Sequence, residues 1–111
     1  MQLNNKRAVI TGAGSGIGAA IAFAYAEQGA RLVLGDRDAV TLAHTAQRCR
    51  EMGAQVLESV ADVGSVEGAQ AGVDACVAHF GGIDILVNNA GMLTQARCVD
   101  LTLQMWNDML R

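Results

Sequence analysis

Four short runs rich in β-branched and other apolar residues punctuate the chain: Arg7 to Thr11, Arg31 to Gly35, Gln55 to Val60 and Ile83 to Val87. After each run, apolar residues return every three or four positions, the period of a helix with one covered face. Alternation of this kind predicts a parallel sheet with helices packed on its faces, an α/β fold. The first helix is expected to start between Ser15 and Ile17, with Ile17, Ala20, Ile21 and Ala24 on one face and Gly29 as a C-terminal glycine cap. Its small face predicts a helix lying close to the sheet. The second opens with Asp38 as N-cap, turns Ala39, Leu42, Ala43, Ala46 and Cys49 inward, and stops at Gly53. The third opens at Ser65, repeats Val66, Ala69, Val73, Val77 and Phe80, and stops at Gly81-Gly82. A last helix, capped by Asp100 or Thr102, runs through Leu103, Trp106 and Leu110 and meets no stop signal before Arg111. That ending reads as the truncation of a longer fold.

The near-continuous apolar run Ile83, Ile85, Leu86 and Val87 marks a strand covered on both faces. Short right-handed crossovers favour the strand order 3-2-1-4, which would leave the fourth strand as an open edge. The 111 residues amount to one domain at most. With 51% hydrophobic and 17% charged residues the chain is too apolar to be disordered, and no sequence repeat or linker interrupts it. A formal net charge of -3, with no cluster of Lys and Arg, removes the electrostatic reason to expect nucleic acid or an anionic membrane as partner. The apolar stretch from Ile17 to Ala26 is too short to span a bilayer, and the polar start lacks a signal-peptide core, so the expected location is cytoplasmic. Cys49, Cys76 and Cys98 form no C-x-x-C pair and read as free thiols packed as small apolar residues. His44 and His79 lie in separate helices with no second ligand at metal spacing, so no metal site is expected.

The chemistry concentrates between the first strand and the first helix, in Ile10-Thr11-Gly12-Ala13-Gly14-Ser15-Gly16-Ile17-Gly18. A strand, a glycine loop and a helix start in succession gather free backbone N–H groups and the positive end of the helix dipole around one point, which attracts phosphate. Glycine is needed where such a loop takes a positive φ and where a Cβ would keep a pyrophosphate from the amides. The dinucleotide fingerprint ending in alanine fits through Gly14, Gly16 and Ala19, whereas a P-loop is ruled out because no Lys-Ser or Lys-Thr follows. Asp36, at the end of the second strand and about twenty residues further on, stands where a carboxylate accepts hydrogen bonds from ribose hydroxyls. Asp36 also fits a plain turn residue in Gly35-Asp36-Arg37-Asp38, as does Asp62 after the third strand. Both lie at strand C-termini, the ligand-binding edge of open α/β sheets.

Thr11-Gly12-Ala13-Gly14-Ser15-Gly16-Ile17-Gly18 resembles the T-G-x-x-x-G-x-G loop of the short-chain dehydrogenase/reductase family, with Gly12, Gly16 and Gly18 as its three glycines. Asn88-Asn89-Ala90-Gly91 resembles the family's N-N-A-G motif, and Asp62-Val63 its adenine-contacting pair. The resemblance runs along essentially the whole chain. It implies a Rossmann-type doubly wound parallel sheet, cut short here, that binds a nicotinamide dinucleotide. On the same ground the Ser15 hydroxyl and Ile17 N–H would contact the adenosine ribose and pyrophosphate, Asp62 the adenine amino group, and the Val63 backbone the ring. Asn88, Asn89, Ala90 and Gly91 would line the ribose on the nicotinamide side and tie the central strands together.

A carboxylate at Asp36 accepts from a 2′-hydroxyl and repels a 2′-phosphate, at a cost of about 1 kcal/mol in water and about 4 near a partly desolvated surface. NAD is therefore expected over NADP, although Arg37 can turn toward a 2′-phosphate, and basic residues there accompany NADP use in parts of the family. The resemblance implies hydride transfer between the cofactor and an alcohol or carbonyl substrate, assisted by a Tyr-x-x-x-Lys pair, a serine and a helical asparagine. None is present in this chain: the sole tyrosine, Tyr25, lies in the first helix, the sole lysine is Lys6, and Asn107 follows Trp106 too soon. No catalytic residue is assigned, and the chain alone is expected to be inactive. Full-length relatives commonly form homo-oligomers. Two alternatives stay open, a non-catalytic dinucleotide-binding module and a class I methyltransferase using S-adenosylmethionine.

Overall fold

The structure, a computed structural model, describes residues 3–14, 16–62, 66–89 and 100–101. The elements run β1 (Arg7–Thr11), α1 (Gly16–Glu27), β2 (Arg31–Asp36), α2 (Ala39–Glu51), β3 (Val56–Val60), α3 (Val66–Phe80), β4 (Ile85–Asn88) and β5 (Asp100–Leu101). The sheet order is β3-β2-β1-β4-β5. The first four strands pair in parallel in the expected order 3-2-1-4, with Val9 opposite both Val33 and Leu86. The outer edge of β4 is not open as expected: β5 pairs with it antiparallel, Leu101 opposite Leu86 and Asp100 opposite Val87. Asp100 is therefore a strand residue rather than a helix cap, and the rest of the predicted last helix lies outside the described residues.

Alternation along the central strands divides the core in two. Ala8, Ile10, Leu32, Leu34 and Val87 pack with Ala22 and Ala26 of α1 and Leu42, Ala46 and Cys49 of α2. Val9, Val33 and Leu86 face the other way, onto Ala69, Val73 and Cys76 of α3. Both faces of β1 and β2 are thus covered, and their interiors are fully buried. Burying one side chain of the size of Leu42 contributes about 1.5–3 kcal/mol.

Helix α2 starts as predicted, with Asp38 Oδ1 accepting from the N–H groups of Val40 (3.0 Å) and Thr41 (3.2 Å). Its buried side differs in detail, because Ala39 and Ala43 are exposed while Thr45 is buried. In α3 the exposed Val77 gives its inward place to Cys76. Burial pushes the Cys76 thiol up to about 11 and raises the Cys49 thiol as well, so both stay protonated at neutral pH and pack as apolar groups.

The larger correction concerns α1. Ile17, Ala20 and Ala24 are exposed, and the helix instead buries Gly18, Ala22 and Ala26. The reason is steric: Gly18 sits so close to β1 that a Cβ there would run into the Gly12 carbonyl oxygen, with the Asn89 side-chain nitrogen 3.0 Å away. A stripe of one glycine and two alanines at helical spacing lets the axis approach the sheet, and that approach outweighs burial of the larger Ile17.

At the other end of the sheet β1 is tied to the start of β4. The Arg7 backbone N–H and Nε both donate to Asp84 Oδ2 at 2.9 Å, and Nη2 donates to Oδ1 at 3.2 Å. Gly82 lies against the guanidinium, where a Cβ would come within 2.7 Å of Nη1.

Two outcomes are expected. Gly18→Ala should lower stability by about 3 kcal/mol, the upper end for overpacking, because the obstacle is backbone and cannot rotate away; a urea titration against wild type measures it. The Arg7 hydrogen bonds hold the Asp84 carboxyl below its ordinary value of 3.8. The stability from this pair is therefore present above that value and lost as pH falls through the lower folded one. Melting curves across acid pH should show the deficit of Asp84→Asn shrinking as pH falls; a deficit independent of pH would contradict the assignment.

Candidate functional site

The C-terminal ends of β1, β2 and β4 meet at one edge of the sheet, which brings together residues far apart in sequence. Thr11, the last residue of β1, is buried, and its hydroxyl accepts from the Asn89 N–H at 3.0 Å. The same oxygen lies 3.1 Å from Asn88 Oδ1 and 3.4 Å from the Val87 carbonyl, which it reaches as donor. One hydroxyl thus fastens the end of β4 to the start of the glycine loop. Asn89 then reaches over Gly18, so the loop, the first turn of α1 and the Asn88-Asn89 pair are mutually fixed.

The glycines of the loop serve different needs. Gly12 and Gly16 have φ of 68° and 58°, the left-handed region that favours glycine. At Gly16 an added Cβ would meet nothing within 4 Å, so the constraint there is conformational and the loop is open on that side. Gly18 is required by the close approach to β1. The amides of the first helical turn have no acceptor within the helix, and together with the dipole they give its start a positive field. The first turn, Gly16-Ile17-Gly18-Ala19, carries no acidic side chain to answer that field. Ile17, 55% exposed, stands beside it as an apolar lip.

From β2 comes Asp36. Its Oδ2 accepts from the Gly14 N–H at 2.9 Å and its Oδ1 from the Asp38 N–H at 3.0 Å. The Ala13 N–H donates to the Gly35 carbonyl at 3.0 Å, so the loop is laced to the end of β2 through two consecutive residues. Two backbone donors take up about half of a carboxylate's acceptor capacity and leave the remainder for a ligand. Asp36 both makes the turn with Asp38 and reaches across to Gly14, tying the loop to the end of β2. Arg37 is exposed beside it.

Of the residues singled out in the sequence, Gly12, Gly16, Ile17, Gly18, Asp36, Asn88 and Asn89 share this edge. Asp62 is exposed just past β3, next to Ala61, whose N–H donates to the Asp36 carbonyl at 3.1 Å. Ser15, Val63, Ala90 and Gly91 lie outside the described residues. Three contributors were missed: Thr11 as the tie to β4, Gly14 as the donor to Asp36, and Thr45, whose hydroxyl reaches the Gly14 carbonyl at 3.4 Å. A buried threonine on an otherwise apolar helix face was the one signal for the last. Among the described residues no His, Cys, Asp and Glu cluster suits a metal, and no helix is long and apolar enough to cross a membrane.

Known proteins are similar to this chain in sequence and fold. D-threitol dehydrogenase of Mycolicibacterium smegmatis is 46% identical over 110 residues, 98% of this chain and 42% of that protein. The crystal structure of L-sorbose reductase from Gluconobacter frateurii, complexed with NADPH and L-sorbose, matches with a TM-score of 0.76 at 46% identity, over 83% of this chain and 36% of that one. A short chain dehydrogenase/reductase from Burkholderia phymatum in complex with NAD matches with a TM-score of 0.72 at 42% identity, over 78% of this chain and 31% of that one. The chain thus spans less than half the length of each of these proteins. A sequence model described as short chain dehydrogenase matches residues 6–111, and with the glycine loop, Asp36 and the Asn88-Asn89 pair at one sheet edge the chain belongs to the short-chain dehydrogenase family.

Proposed function

We propose that this chain is the cofactor-binding portion of an NAD-dependent oxidoreductase that moves hydride between a nicotinamide dinucleotide and an alcohol or carbonyl carbon. One observation carries the choice of cofactor: the Asp36 carboxylate is fixed across the glycine loop by the Gly14 N–H at 2.9 Å. In that position it offers acceptors to the ribose hydroxyls and repels a 2′-phosphate. NAD is favoured over NADP on this ground, with the exposed Arg37 next in sequence and able to offset part of the repulsion.

The residues present divide the binding work. The start of α1, opened by Gly16, holds the pyrophosphate through its amides, with the Ser15 hydroxyl beside the adenosine ribose. Asp62 and the Val63 backbone receive the adenine, and Asn88, Asn89, Ala90 and Gly91 line the ribose on the nicotinamide side. The bound nicotinamide supplies the hydride acceptor or donor. Tyr25 is half-buried against the α1/α2 side of the core and takes no part in proton transfer. With no second tyrosine in the chain, the 111 residues hold the cofactor without a proton donor for the substrate.

Calorimetric titration of the chain tests this. NADH should bind at least about fivefold more tightly than NADPH, the factor that about 1 kcal/mol gives. S-adenosylmethionine should not bind, and no NADH should form from NAD and an alcohol. Tighter binding of NADPH overturns the cofactor choice, and failure of both dinucleotides to bind overturns the reading as a whole.

A further inference from the structure

The hydrogen bonds described above use only the backbone of Gly14 and leave open why the residue is a glycine. Its φ is not in the left-handed region, yet its surroundings have no room for a side chain. A Cβ there would lie 2.5 Å from Thr41 Oγ1, 2.8 Å from Asp36 Oδ2 and 3.1 Å from Asp36 Cγ. Its backbone is gripped from two sides. The N–H donates to Asp36 Oδ2 at 2.9 Å, and the carbonyl accepts from the buried Thr45 hydroxyl at 3.4 Å.

We infer that Gly14, held between Asp36 and the Thr41/Thr45 side of α2, is a determinant of NAD-over-NADP preference, because its bare Cα is what allows the Asp36 carboxylate to stand across the loop. This rests on the dinucleotide reading of the site and extends it to the missing side chain of Gly14 and to the α2 residues packed against it. The atoms that would meet an added Cβ differ in whether they can yield. At Gly18 the obstacle is a backbone carbonyl, whereas at Gly14 it is the ends of two side chains. A methyl group at Gly14 is therefore accommodated by turning Thr41 and Asp36 away, and the fold survives. Thr41 loses little, since its hydroxyl makes a 3.4 Å contact with the Asp38 carbonyl. Asp36 loses its bond from Gly14 and keeps only the Asp38 N–H on Oδ1. A carboxylate turned off the loop meets the ribose hydroxyls poorly and no longer faces a 2′-phosphate, so the two dinucleotides respond in opposite senses.

Helix α2 enters through the same contact. Thr45 contributes its hydroxyl to both the Gly14 carbonyl and the Thr41 carbonyl at 3.3 Å, so the loop and the discriminating carboxylate are set by one helix. Thr45 is a positioning residue in this scheme, acting on the ligand only through Gly14.

The test titrates NADH and NADPH into the 111-residue chain and its variants, with a circular dichroism melt of each. Gly14→Ala should bind NADH about tenfold more weakly, the scale of one disrupted hydrogen bond to a charged group, and should bind NADPH no less tightly than wild type does. Adding Thr41→Ala should return most of the NADH affinity, because the loop then leans toward α2 and Asp36 regains its partner. An equal loss for both dinucleotides, or an unchanged ratio between them, overturns the inference. Should Gly14→Ala fail to fold, Thr45→Val decides alone: the ratio should shift the same way by about threefold, with Thr45→Ser restoring it, and an unchanged ratio overturns the inference. If wild type binds neither dinucleotide, the functional reading itself falls, an outcome distinct from a wild-type preference that the Gly14 variant leaves intact.

Discussion

The contact between Gly18 and the Gly12 carbonyl governs the geometry of this molecule. It brings the first turn of α1 onto the end of β1 with no side chain between them, and from that approach the rest of the site follows. The helix axis comes low over the sheet, its buried stripe is reduced to Gly18, Ala22 and Ala26, and its amides point to the sheet edge where β2 and β4 also end. A larger residue at Gly18 would tilt the helix away and move the positive field with it. Packing and electrostatics are thus two results of one steric fact.

Around that contact, β1 is the strand against which β2, β4, α1 and α3 all pack. At its base Arg7 and Asp84 exchange side-chain and backbone hydrogen bonds, the Asp84 N–H returning to the Arg7 carbonyl at 2.8 Å. At its top Thr11 holds Asn88 and Asn89. The strand between these ties is fully buried, with alternate residues serving the two halves of the core. The glycine loop leaves this fixed strand and is met by Asp36 from β2 and Thr45 from α2. Asp36 and Thr45 thus grip the same glycine, so the carboxylate does not move independently of the loop.

Much of this was legible in the sequence, for identifiable reasons. The first strand was found at its observed limits and the other three to within two residues, because the covered strands β1, β2 and β4 are short apolar runs between turn signals, while the edge strand β3 mixes apolar and polar residues. The Asp38 cap was plain, since an aspartate before a helical period has one obvious use. The face of α1 was misjudged because hydrophobicity favoured Ile17, while the true determinant was the absence of a side chain at Gly18, which no hydrophobic pattern records. β5 was missed because two residues are too few to carry a period. Thr45 and the hold of Gly14 on Asp36 escaped for a related reason: they depend on α2 and the end of β2 reaching the loop, tertiary contacts with no local signature.

The central claim is that the edge formed by the glycine loop, Asp36 and Asn88-Asn89 receives the dinucleotide. Amide nitrogen–proton correlation spectra recorded while NADH is added test it most directly. The account predicts that the largest shifts fall on Gly12 to Gly18, Asp36 and Asn88-Asn89, with little change at Asn5, Gly29 and Gly53 at the opposite end of the strands. Shifts concentrated at that opposite end, or none at saturating NADH, would contradict it.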